Sequence, residues 1–329
     1  MQELIKIDRN SGIPLIGAIH FGVIERGSTL LQVRTHTSCN MNCTFCSTDA
    51  GVYSKYHPVN FEITDVDYLI DTIKEVIALK NGQVTQIFFD SVGEPTMYPK
   101  LIELIEKMSK IPEIKVIAMQ TNGTLFNKER IKALEEAGLT RINFSLHTLI
   151  PEHGQDLFGS KLYNLEKVKQ NIKDILVSKI DLVLTPVYLP GLNEEQINEV
   201  IKFGKELGCK VAIQKYELYK YSRKDKRVKH QNWYKFFKQL EVWEKEFDVK
   251  LKTGPKDFKI DKSSKIPLEF KRGEEVFVEI KAPGWVKGEM LGAAKNRCIT
   301  IVDSNAQIGQ RMRVKIIDSK DSIYLAKKC

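Results

Sequence analysis

Three cysteines stand close together in a chain that has only three others. Cys39, Cys43 and Cys46 lie within HTSCNMNCTFCSTDAG at the spacing C-x3-C-x2-C. Clustered thiolates in proteins bind zinc or iron–sulfur clusters. Three of them suit a [4Fe–4S] cluster in which the fourth iron takes a ligand from outside the protein. The missing fourth cysteine therefore indicates a coordination position kept for a substrate or a cofactor.

Two other interpretations of the cysteine segment remain open at this point. The three positions would also share one face of a helix, but the asparagine, threonine, serine and glycine residues around them favour a loop. A structural zinc site would need a fourth ligand, for which His36 is the candidate. Cys209, Cys298 and Cys329 are scattered and indicate no disulfide framework.

The composition predicts a cytoplasmic protein with no membrane partner. The chain has 329 residues, which is long enough for one large and one small domain. Its hydrophobic fraction of 42% and charged fraction of 28% are typical of globular proteins. No apolar run approaches the roughly 20 residues that span a bilayer, and the N-terminus lacks a signal-peptide pattern. The net charge of +9 is compatible with nucleic acid as a partner.

Short apolar runs alternate with helical periodicity from Leu30 to Leu218. The helix after the cysteine segment is predicted to have Thr64 as its N-cap and Gly82 as its stop. Six β/α repeats predict an α/β fold with a parallel sheet, and an open partial (β/α)6 barrel fits better than a closed eight-stranded one. A doubly wound sheet is the alternative. The predicted strands are TLLQVRTH, VTQIFFD, IKVIAMQT, RINFSLH, DLVLTPVYL and KVAIQKYEL.

The repeat pattern ends near Tyr219. A basic, aromatic stretch leads into a helix over 231–247, and a polar linker with Pro, Gly and Ser follows. Five short strands after residue 269 predict a small all-β, OB-like barrel. The expected division is an N-terminal extension (1–29), the partial barrel (30–222), the basic helix with its linker (223–268) and the β-barrel (269–329).

The cysteine motif after the first strand resembles that of the radical S-adenosylmethionine (radical SAM) superfamily. The resemblance implies that Cys39, Cys43 and Cys46 hold a [4Fe–4S] cluster whose open iron binds SAM. It further implies reductive cleavage of SAM to a radical that abstracts hydrogen, with an electron donor such as ferredoxin or flavodoxin as partner. Phe45, directly before the last cysteine, would lie beside the adenine of SAM.

Four further segments resemble SAM-binding motifs of the same superfamily, each at a predicted strand end, where barrel active sites lie. DSVGEPT resembles a G-G-E-P segment, although Val92 replaces its first glycine. QTNGT, NFSLHT and VYLPGLNEE resemble the motifs of the next three strands. The SAM contacts that the resemblance implies are Gly93, Glu94, Pro95, Asn122, Ser145, His147 and Asn193, with Gly191 and Glu194 or Glu195 beside the last.

The C-terminal run resembles a TRAM domain, a small barrel that binds RNA in several RNA-modifying enzymes. Gly284 and Gly288 match its central turn, and the strand from Gly309 matches its G-x-x-(V/M)-x-V-x-I pattern. Its second-strand signature is only loosely kept. A β-module that only packs on the partial barrel is the alternative.

Residues 215–238, called the basic segment below, carry nine Lys or Arg against two acidic residues. Cations neutralise phosphates, and aromatic side chains stack on unpaired bases. Lys220 to Lys229 is the predicted RNA contact. The aromatic residues of the following helix are instead expected on its apolar face, which would consist of Trp233, Phe236, Phe237 and Leu240.

These features predict a radical SAM enzyme that modifies RNA, with a tRNA nucleoside as substrate and methylation or a related C–H functionalisation as reaction. The alternatives are a radical SAM enzyme acting on a peptide or small metabolite, and a methylthiotransferase-like tRNA enzyme. The cysteine-free first 38 residues argue against the latter. An RNA-binding protein with structural zinc is a non-enzymatic third. Cys329 would be a methyl carrier in one variant, but a terminal thiol without a role is the simpler interpretation, and Cys298 is expected in a core.

Overall fold

The computed structural model describes residues 2–329. Its strands are β1 (Glu3–Ile7), β2 (Gly22–Glu25), β3 (Leu30–Arg34), β4 (Val59–Ile63), β5 (Gln86–Phe89), β6 (Val116–Thr121), β7 (Arg141–Phe144), β8 (Asp181–Leu184), β9 (Val187–Tyr188), β10 (Lys210–Val211), β11 (Gln214–Lys215), β12 (Glu275–Pro283), β13 (Met290–Ala294), β14 (Arg297–Ile301), β15 (Arg311–Asp318) and β16 (Tyr324–Lys328). Its α-helices are α1 (Val66–Leu79), α2 (Leu101–Ser109), α3 (Lys128–Ala137), α4 (Pro151–Leu157), α5 (Leu165–Leu176), α6 (Glu194–Glu206) and α7 (Trp233–Phe247).

The central sheet has seven strands in the order β10-β8-β7-β6-β5-β3-β2. All neighbours from β3 to β10 are parallel, and β2 joins the edge antiparallel to β3. The six predicted parallel strands of an α/β sheet are thus confirmed. The sheet is open, because β10 and β2 form its two edges.

Side chains alternate between the two faces of each strand. In β3, Leu31 and Val33 are fully buried in the apolar core, whereas Gln32 and Arg34 lie on the opposite face. The helices bury matching apolar stripes, such as Leu69, Ile73 and Val76 of α1. The polar positions of the strands therefore share the face of the sheet that the helices leave uncovered.

Helix α1 begins one residue later than predicted. The carboxylate of Asp65 accepts a hydrogen bond from the N–H of Tyr68 at 2.9 Å and forms the N-cap. Thr64, the predicted cap, instead donates its hydroxyl to the carbonyl of Ile7 at 3.3 Å. At the other end, Gly82 has a positive φ and donates its N–H to the carbonyl of Ile77 at 3.0 Å, so the predicted stop is confirmed.

The first 25 residues supply two strands to the fold. β1 pairs in parallel with β4, starting from Glu3 opposite Val59. β2 extends the central sheet at its β3 edge. Helix α4 lies outside the predicted elements, since a seven-residue helix with Gly154 in its middle shows no clear periodicity.

The polar linker after α7 is fixed across the amino-terminal edge of the sheet. Gln86, the first residue of β5, donates its amide to the carbonyls of Phe258 and Lys259 at 2.8 Å each. Lys80 is buried in an ion pair with Glu25 at 2.9 Å and also donates to the carbonyl of Ser264. This segment therefore covers the end of the sheet opposite the cysteine residues.

Helix α7 exposes part of its predicted apolar face. Phe236, Leu240 and Trp243 are buried, as the periodicity predicts. Trp233 is 54% exposed and Phe237 is 42% exposed, so their expected burial is wrong. The inward positions, at i and i+4 or i+7, already complete the contact with the sheet layer.

The C-terminal region forms a closed five-stranded barrel with the order β12-β13-β14-β16-β15. The β-barrel expected after residue 269 is therefore present. It docks on the N-terminal residues: Cys298 donates its N–H to the carbonyl of Ile16 at 2.7 Å, and Tyr324 donates to that of Gly17 at 3.0 Å. Gly17 is required there, because its φ is +118° and a Cβ would overlap the Cys298 carbonyl. Cys298 is fully buried, which confirms its expected core position.

Within residues 2–329, every helix is too short or too polar to cross a bilayer.

Candidate active site

The cysteine loop, residues 36–51, follows β3 and contains no helix. Its backbone is held by the end of α4, because Asn42 donates its N–H to the carbonyl of Phe158 and Thr44 to that of Leu157, both at 2.9 Å. The loop interpretation of the cysteine segment is thereby confirmed. The alternative of three cysteines on one helical face is excluded.

The three thiols are close enough to interact electrostatically. Burial raises the pKa of the Cys39 thiol to about 12 and that of Cys43 well above its usual range, and ionisation of Cys46 raises both further. The Arg223 guanidinium acts in the opposite direction on both thiols. A positive centre beside the Cys39 and Cys43 thiolates, as an iron–sulfur cluster provides, would oppose this rise.

A single metal ion has no preformed ligand set. Among residues 2–329, no three His, Cys, Asp or Glu side chains, the three cysteines of the loop included, are arranged to hold one ion. His36, the candidate fourth zinc ligand, is buried, contacts the Thr35 hydroxyl at 3.0 Å and stacks on Tyr98 with centroids 6.0 Å apart. The zinc alternative is therefore not supported by the geometry.

The segment Gly93-Glu94-Pro95 lies directly against the cysteine loop. Glu94 donates its N–H to the carbonyl of Ser38 at 2.9 Å. A Cβ at position 93 would overlap that same carbonyl, so glycine is required for the approach. Pro95 is buried and begins the 3₁₀ turn Pro95–Met97. The predicted motif is thus brought within one hydrogen bond of the residue that precedes Cys39.

The carboxylate of Glu94 joins two strand ends. One oxygen accepts from the hydroxyls of Thr96 and Thr121, both at 2.6 Å. The other accepts from the backbone N–H of Asn122 at 2.8 Å. Burial raises the pKa of Glu94, and these hydrogen bonds oppose that rise. Glu94 therefore positions the loop that follows β6. Both oxygens of its carboxylate already accept hydrogen bonds from within the protein.

Asn122 contacts the cysteine loop through Asn40, a residue that the sequence analysis did not single out. The Asn122 amide donates to the Asn40 side-chain oxygen at 3.0 Å. Asn40 in turn donates to the Thr124 hydroxyl at 2.9 Å. Nothing local in the sequence indicates this contact, because the two asparagines are 82 positions apart.

The loop after β7 and the loop after β9 meet beside Phe45. The Phe45 ring packs edge-on against His147 with centroids 4.9 Å apart. His147 accepts from the N–H of Val187 at 3.0 Å, and burial lowers its pKa to about 3, so the ring is neutral. Asn193 accepts from the N–H of Leu189 at 2.8 Å and donates to the carbonyl of Val187 at 3.0 Å. These contacts fix the His147 ring, against which Phe45 packs, and the loop after β9.

Gly191 and Glu194 complete the same loop. Gly191 has a positive φ and donates its N–H to the Glu194 carboxylate at 2.5 Å. Because Asn193 turns its side chain back to the loop, it does not cap α6 with that side chain. The predicted residues Gly191, Asn193 and Glu194 thus shape the loop after β9 through their own hydrogen bonds.

Ser145 belongs to a separate polar group on the uncovered face of the sheet. The Gln120 amide donates to the Ser145 hydroxyl at 2.9 Å and to the Thr185 hydroxyl at 2.8 Å. On a neighbouring pair of strands, Arg34 binds the Asp90 carboxylate at 3.0 Å. Polar residues at alternate positions of apolar strands are the sequence signal that could have identified this set.

Arg223 of the basic segment fastens that segment to the cysteine loop. Its guanidinium binds the buried Asp49 carboxylate at 2.6 Å and donates to the carbonyls of Ala50 at 2.6 Å and Cys43 at 3.3 Å. Its backbone N–H donates to the carbonyl of Cys46 at 2.8 Å. Further along the segment, Lys229 donates its N–H to the carbonyl of Pro190 at 2.8 Å. The basic segment therefore runs along the rim formed by the strand ends.

The remaining cations of the predicted contact divide into two groups. Arg227 is paired with Asp225 at 2.6 Å and with Asp156 at 2.7 Å. The exposed lysines between residues 220 and 229 are Lys220, Lys224, Lys226 and Lys229.

The fold, the cysteine loop and the motif residues at successive strand ends define a protein class. Residues 33–204 match the family profile of the radical SAM superfamily. The chain belongs to this superfamily, whose members bind a [4Fe–4S] cluster and S-adenosylmethionine.

The relatives of the chain share its sequence to different extents. An uncharacterized protein of Methanocaldococcus jannaschii is 37% identical over 96% of this chain and 79% of its own length. A GTP 3',8-cyclase of Aquifex aeolicus is 31% identical over 59% of this chain, which spans 58% of the cyclase. Among solved structures, TYW1 with a lysine-pyruvate adduct is similar with a TM-score of 0.48 at 16% identity, covering 72% of this chain and 80% of that one.

The cysteine loop fits the cofactors of the superfamily. It offers three mutually coupled, partly buried thiols next to a cation, and the loops of four successive strands surround it. When bound, the cluster and SAM supply a radical that abstracts hydrogen from a substrate. The residues of this chain hold the loop, orient Phe45 and keep the His147 ring neutral.

Proposed function

We propose that this radical SAM enzyme modifies a nucleoside in RNA, with tRNA as the substrate. The observation that carries the proposal is the path of the basic segment. Arg223 joins this segment to the cysteine loop, and Lys229 joins it to the loop after β9. Exposed lysines along this path would meet phosphates at the entrance of the site. A target nucleotide flipped from its stack would then lie within reach of the strand ends.

In this proposal Cys39, Cys43 and Cys46 are the cluster ligands. SAM is bound by Gly93, Glu94, Pro95, Asn122, Ser145, His147 and Asn193, with Phe45 beside the adenine. Several of these residues act by fixing backbone, because the side chains of Glu94 and Asn193 are engaged in hydrogen bonds within the protein. The expected electron donor is a ferredoxin or a flavodoxin.

The C-terminal barrel is assigned an RNA-binding role of the TRAM type. Its strand order, with β14 parallel to β16 between antiparallel neighbours, is compatible with a five-stranded Greek-key barrel of the OB kind. The outward residues of β15 are Arg311, Arg313 and Lys315, and Lys315 lies opposite Lys327 of β16. Phe277 of β12, opposite Arg313, is 67% exposed. Glu275 and Glu279 of β12 lie opposite Lys315 and Arg311, and Glu275 pairs with Arg313 at 3.4 Å. The cations of β15 beside an exposed aromatic ring are suited to an RNA strand.

A second candidate is supported by the similarity to GTP 3',8-cyclases, which covers 59% of this chain for the cyclase of Aquifex aeolicus. On this alternative the substrate is a free purine nucleotide held on the uncovered face of the sheet. Arg34 and Asp90, or Gln120 with Ser145 and Thr185, would supply the polar contacts.

One experiment separates the two candidates. The anaerobically reconstituted protein is supplied with SAM and a reductant, and 5'-deoxyadenosine is measured with tRNA, with GTP or with neither. Formation stimulated by tRNA and unaffected by GTP is expected. Stimulation by GTP alone would replace the RNA proposal with the nucleotide alternative.

A further inference from the structure

The first two turns of α7 present three aromatic side chains to the outside. Trp233, Tyr234 and Phe237, called the aromatic platform below, are 54%, 70% and 42% exposed. The helix does not need them for packing, because Phe236, Leu240 and Trp243 already bury its inner face. Trp243 packs edge-on against Tyr188 with centroids 4.9 Å apart. Contiguous exposed aromatics of this kind mark an interaction surface.

Two rings of the platform are nearly parallel. Trp233 and Phe237 lie one helical turn apart, with centroids separated by 5.7 Å and planes inclined by 28°. Both side chains nevertheless stay about half exposed, Trp233 at 54% and Phe237 at 42%, so both present ring surface to solvent. Nucleobases are planar and stack on aromatic faces with little dependence on sequence.

Two lysine side chains lie beside the platform, and that of Lys215 is nearly fully buried. The ammonium group of Lys215 lies 5.1 Å from the Trp233 ring centroid, and that of Lys238 lies 5.8 Å from the Tyr234 ring centroid. Glu217 and Glu241 pair with these two lysines at 3.3 Å and 3.0 Å and neutralise part of their charge.

The platform is continuous along the chain with the basic segment that reaches the cysteine loop. Lys229, four residues before Trp233, is exposed, and its backbone is hydrogen-bonded to the loop after β9. Lys215 belongs to β11, which pairs with β9 of the same loop region. An RNA strand that enters along the exposed lysines would therefore meet the platform beside the rim of the sheet.

We propose that the aromatic platform stacks on unpaired bases of the RNA substrate outside the reaction site. The inference rests on the proposed function, since it assigns a contact surface to the same RNA. The occupant is single-stranded RNA, because stacked rings next to lysines match bases next to phosphates. A base-paired duplex buries its base faces and would gain nothing from these rings.

Fluorescence anisotropy with the reconstituted full chain tests the assignment. The probes are labelled tRNA, a labelled single-stranded 12-nucleotide RNA and its perfect duplex. The variant Trp233→Ala/Phe237→Ala is compared with Val242→Ala, a control at a residue of the same helix that is 54% exposed. Because the stacking contacts are lost, the affinity of the double variant for the single strand should fall by about tenfold or more. The control and the variant Trp233→Phe bind as the wild type does.

The salt dependence adds a readout that a general defect would not reproduce. Removing aromatic rings is expected to lower affinity while leaving the slope of log affinity against log salt unchanged, whereas Lys226→Gln/Lys229→Gln should reduce that slope by about 2. Circular dichroism and the iron and sulfide content verify that the variants are folded and loaded.

Three outcomes would overturn the inference in distinguishable ways. Single-strand binding by the double variant within twofold of the wild type rejects the platform and leaves the RNA function standing. Absence of RNA binding by the wild type rejects the proposed function itself. A wild-type dimer in sedimentation that the double variant loses would show that the platform is an interface between copies of this chain.

Discussion

The imidazole ring of His57 lies flat on the indole ring of Trp285, with centroids 3.5 Å apart and planes inclined by only 5°. The two ring nitrogens of His57 contact the carbonyls of Thr48 at 2.8 Å and Trp285 at 3.1 Å. Thr48 also contacts the Cys46 sulfur through its hydroxyl at 3.3 Å. The C-terminal barrel is therefore linked to the cysteine loop through two side chains.

Replacing Trp285 tests this link. Trp285→Ala removes a buried ring and is expected to destabilise the protein by about 3–5 kcal/mol. Hydrogen exchange should also become faster in residues 48–57, because His57 loses its stacking partner. Trp233→Ala, at an exposed tryptophan, is the matched control and should change stability by less than about 1 kcal/mol. Equal effects of the two substitutions would show that the stack does not hold the loop.

Arg223 is the second link to the cysteine loop. Arg223→Gln leaves the buried Asp49 carboxylate without its cation and is expected to cost about 3–5 kcal/mol in the free energy of unfolding. Adding Asp49→Asn should restore part of this loss. Arg9→Gln is the control, since the Arg9–Asp71 pair is exposed and should contribute little to the free energy of unfolding. Chemical denaturation of the wild type and the three variants checks the prediction, which an Arg223→Gln variant as stable as the wild type would contradict.

Buried neutral histidines predict a loss of stability in mild acid. Burial lowers the pKa of His20 to about 3, that of His36 to about 4 and that of His147 to about 3. In the unfolded chain each takes up a proton near pH 6.5. Their stabilising contribution is therefore complete above about pH 6.5 and is lost as the pH falls towards 3–4. Each histidine adds a slope of about 1.4 kcal/mol per pH unit once its unfolded form is protonated.

Denaturation between pH 7 and pH 5 measures this slope. His20→Gln should make it shallower by one histidine's share. His230→Gln, at an exposed histidine, should leave it unchanged. A slope that does not respond to His20→Gln would contradict the assignment.

The cysteines should divide into two groups in cluster content. Substitution of Cys39, Cys43 or Cys46 by alanine is expected to abolish iron retention after anaerobic reconstitution, because the loop then offers two thiolates. Cys209→Ala and Cys329→Ala should retain iron, since these residues lie outside the loop. Iron and sulfide analysis with electron paramagnetic resonance checks the result. Full iron content in Cys43→Ala would contradict the ligand set.

The same Cys329→Ala variant tests the methyl-carrier alternative. Cys329 is exposed at the end of the C-terminal barrel, after β16. Unchanged turnover on RNA is expected if this thiol has no role. Loss of turnover with normal iron content would restore it as a carrier.

Much of the fold could be predicted, because periodicity reports local structure directly. The six parallel strands and the five strands of the C-terminal barrel follow from apolar runs bounded by turn residues. The N-cap of α1 was misplaced because Thr64 and Asp65 are both good caps, and only tertiary contact with Ile7 engages Thr64 elsewhere. The exposure of Trp233 and Phe237 was missed because the periodicity cannot show how wide the buried stripe is.

The candidate site was predictable where its residues form short motifs. Gly93, Glu94 and Asn122 stand in segments that resemble SAM-binding motifs, and the structure places these segments at the carboxyl ends of parallel strands, along one edge of the sheet. Asn40, Arg223 and the His57–Trp285 stack were not found. Their partners lie far away in sequence, so no spacing indicates them.

The central claim is that the chain uses radical SAM chemistry on tRNA. The most direct measurement is mass spectrometry of tRNA nucleosides after incubating reconstituted protein, SAM and a reductant with tRNA from a strain that lacks the gene. We predict a mass change in one nucleoside, together with 5'-deoxyadenosine that depends on the tRNA. Formation of 5'-deoxyadenosine with a small-molecule substrate, with every tRNA nucleoside unchanged, would contradict the claim.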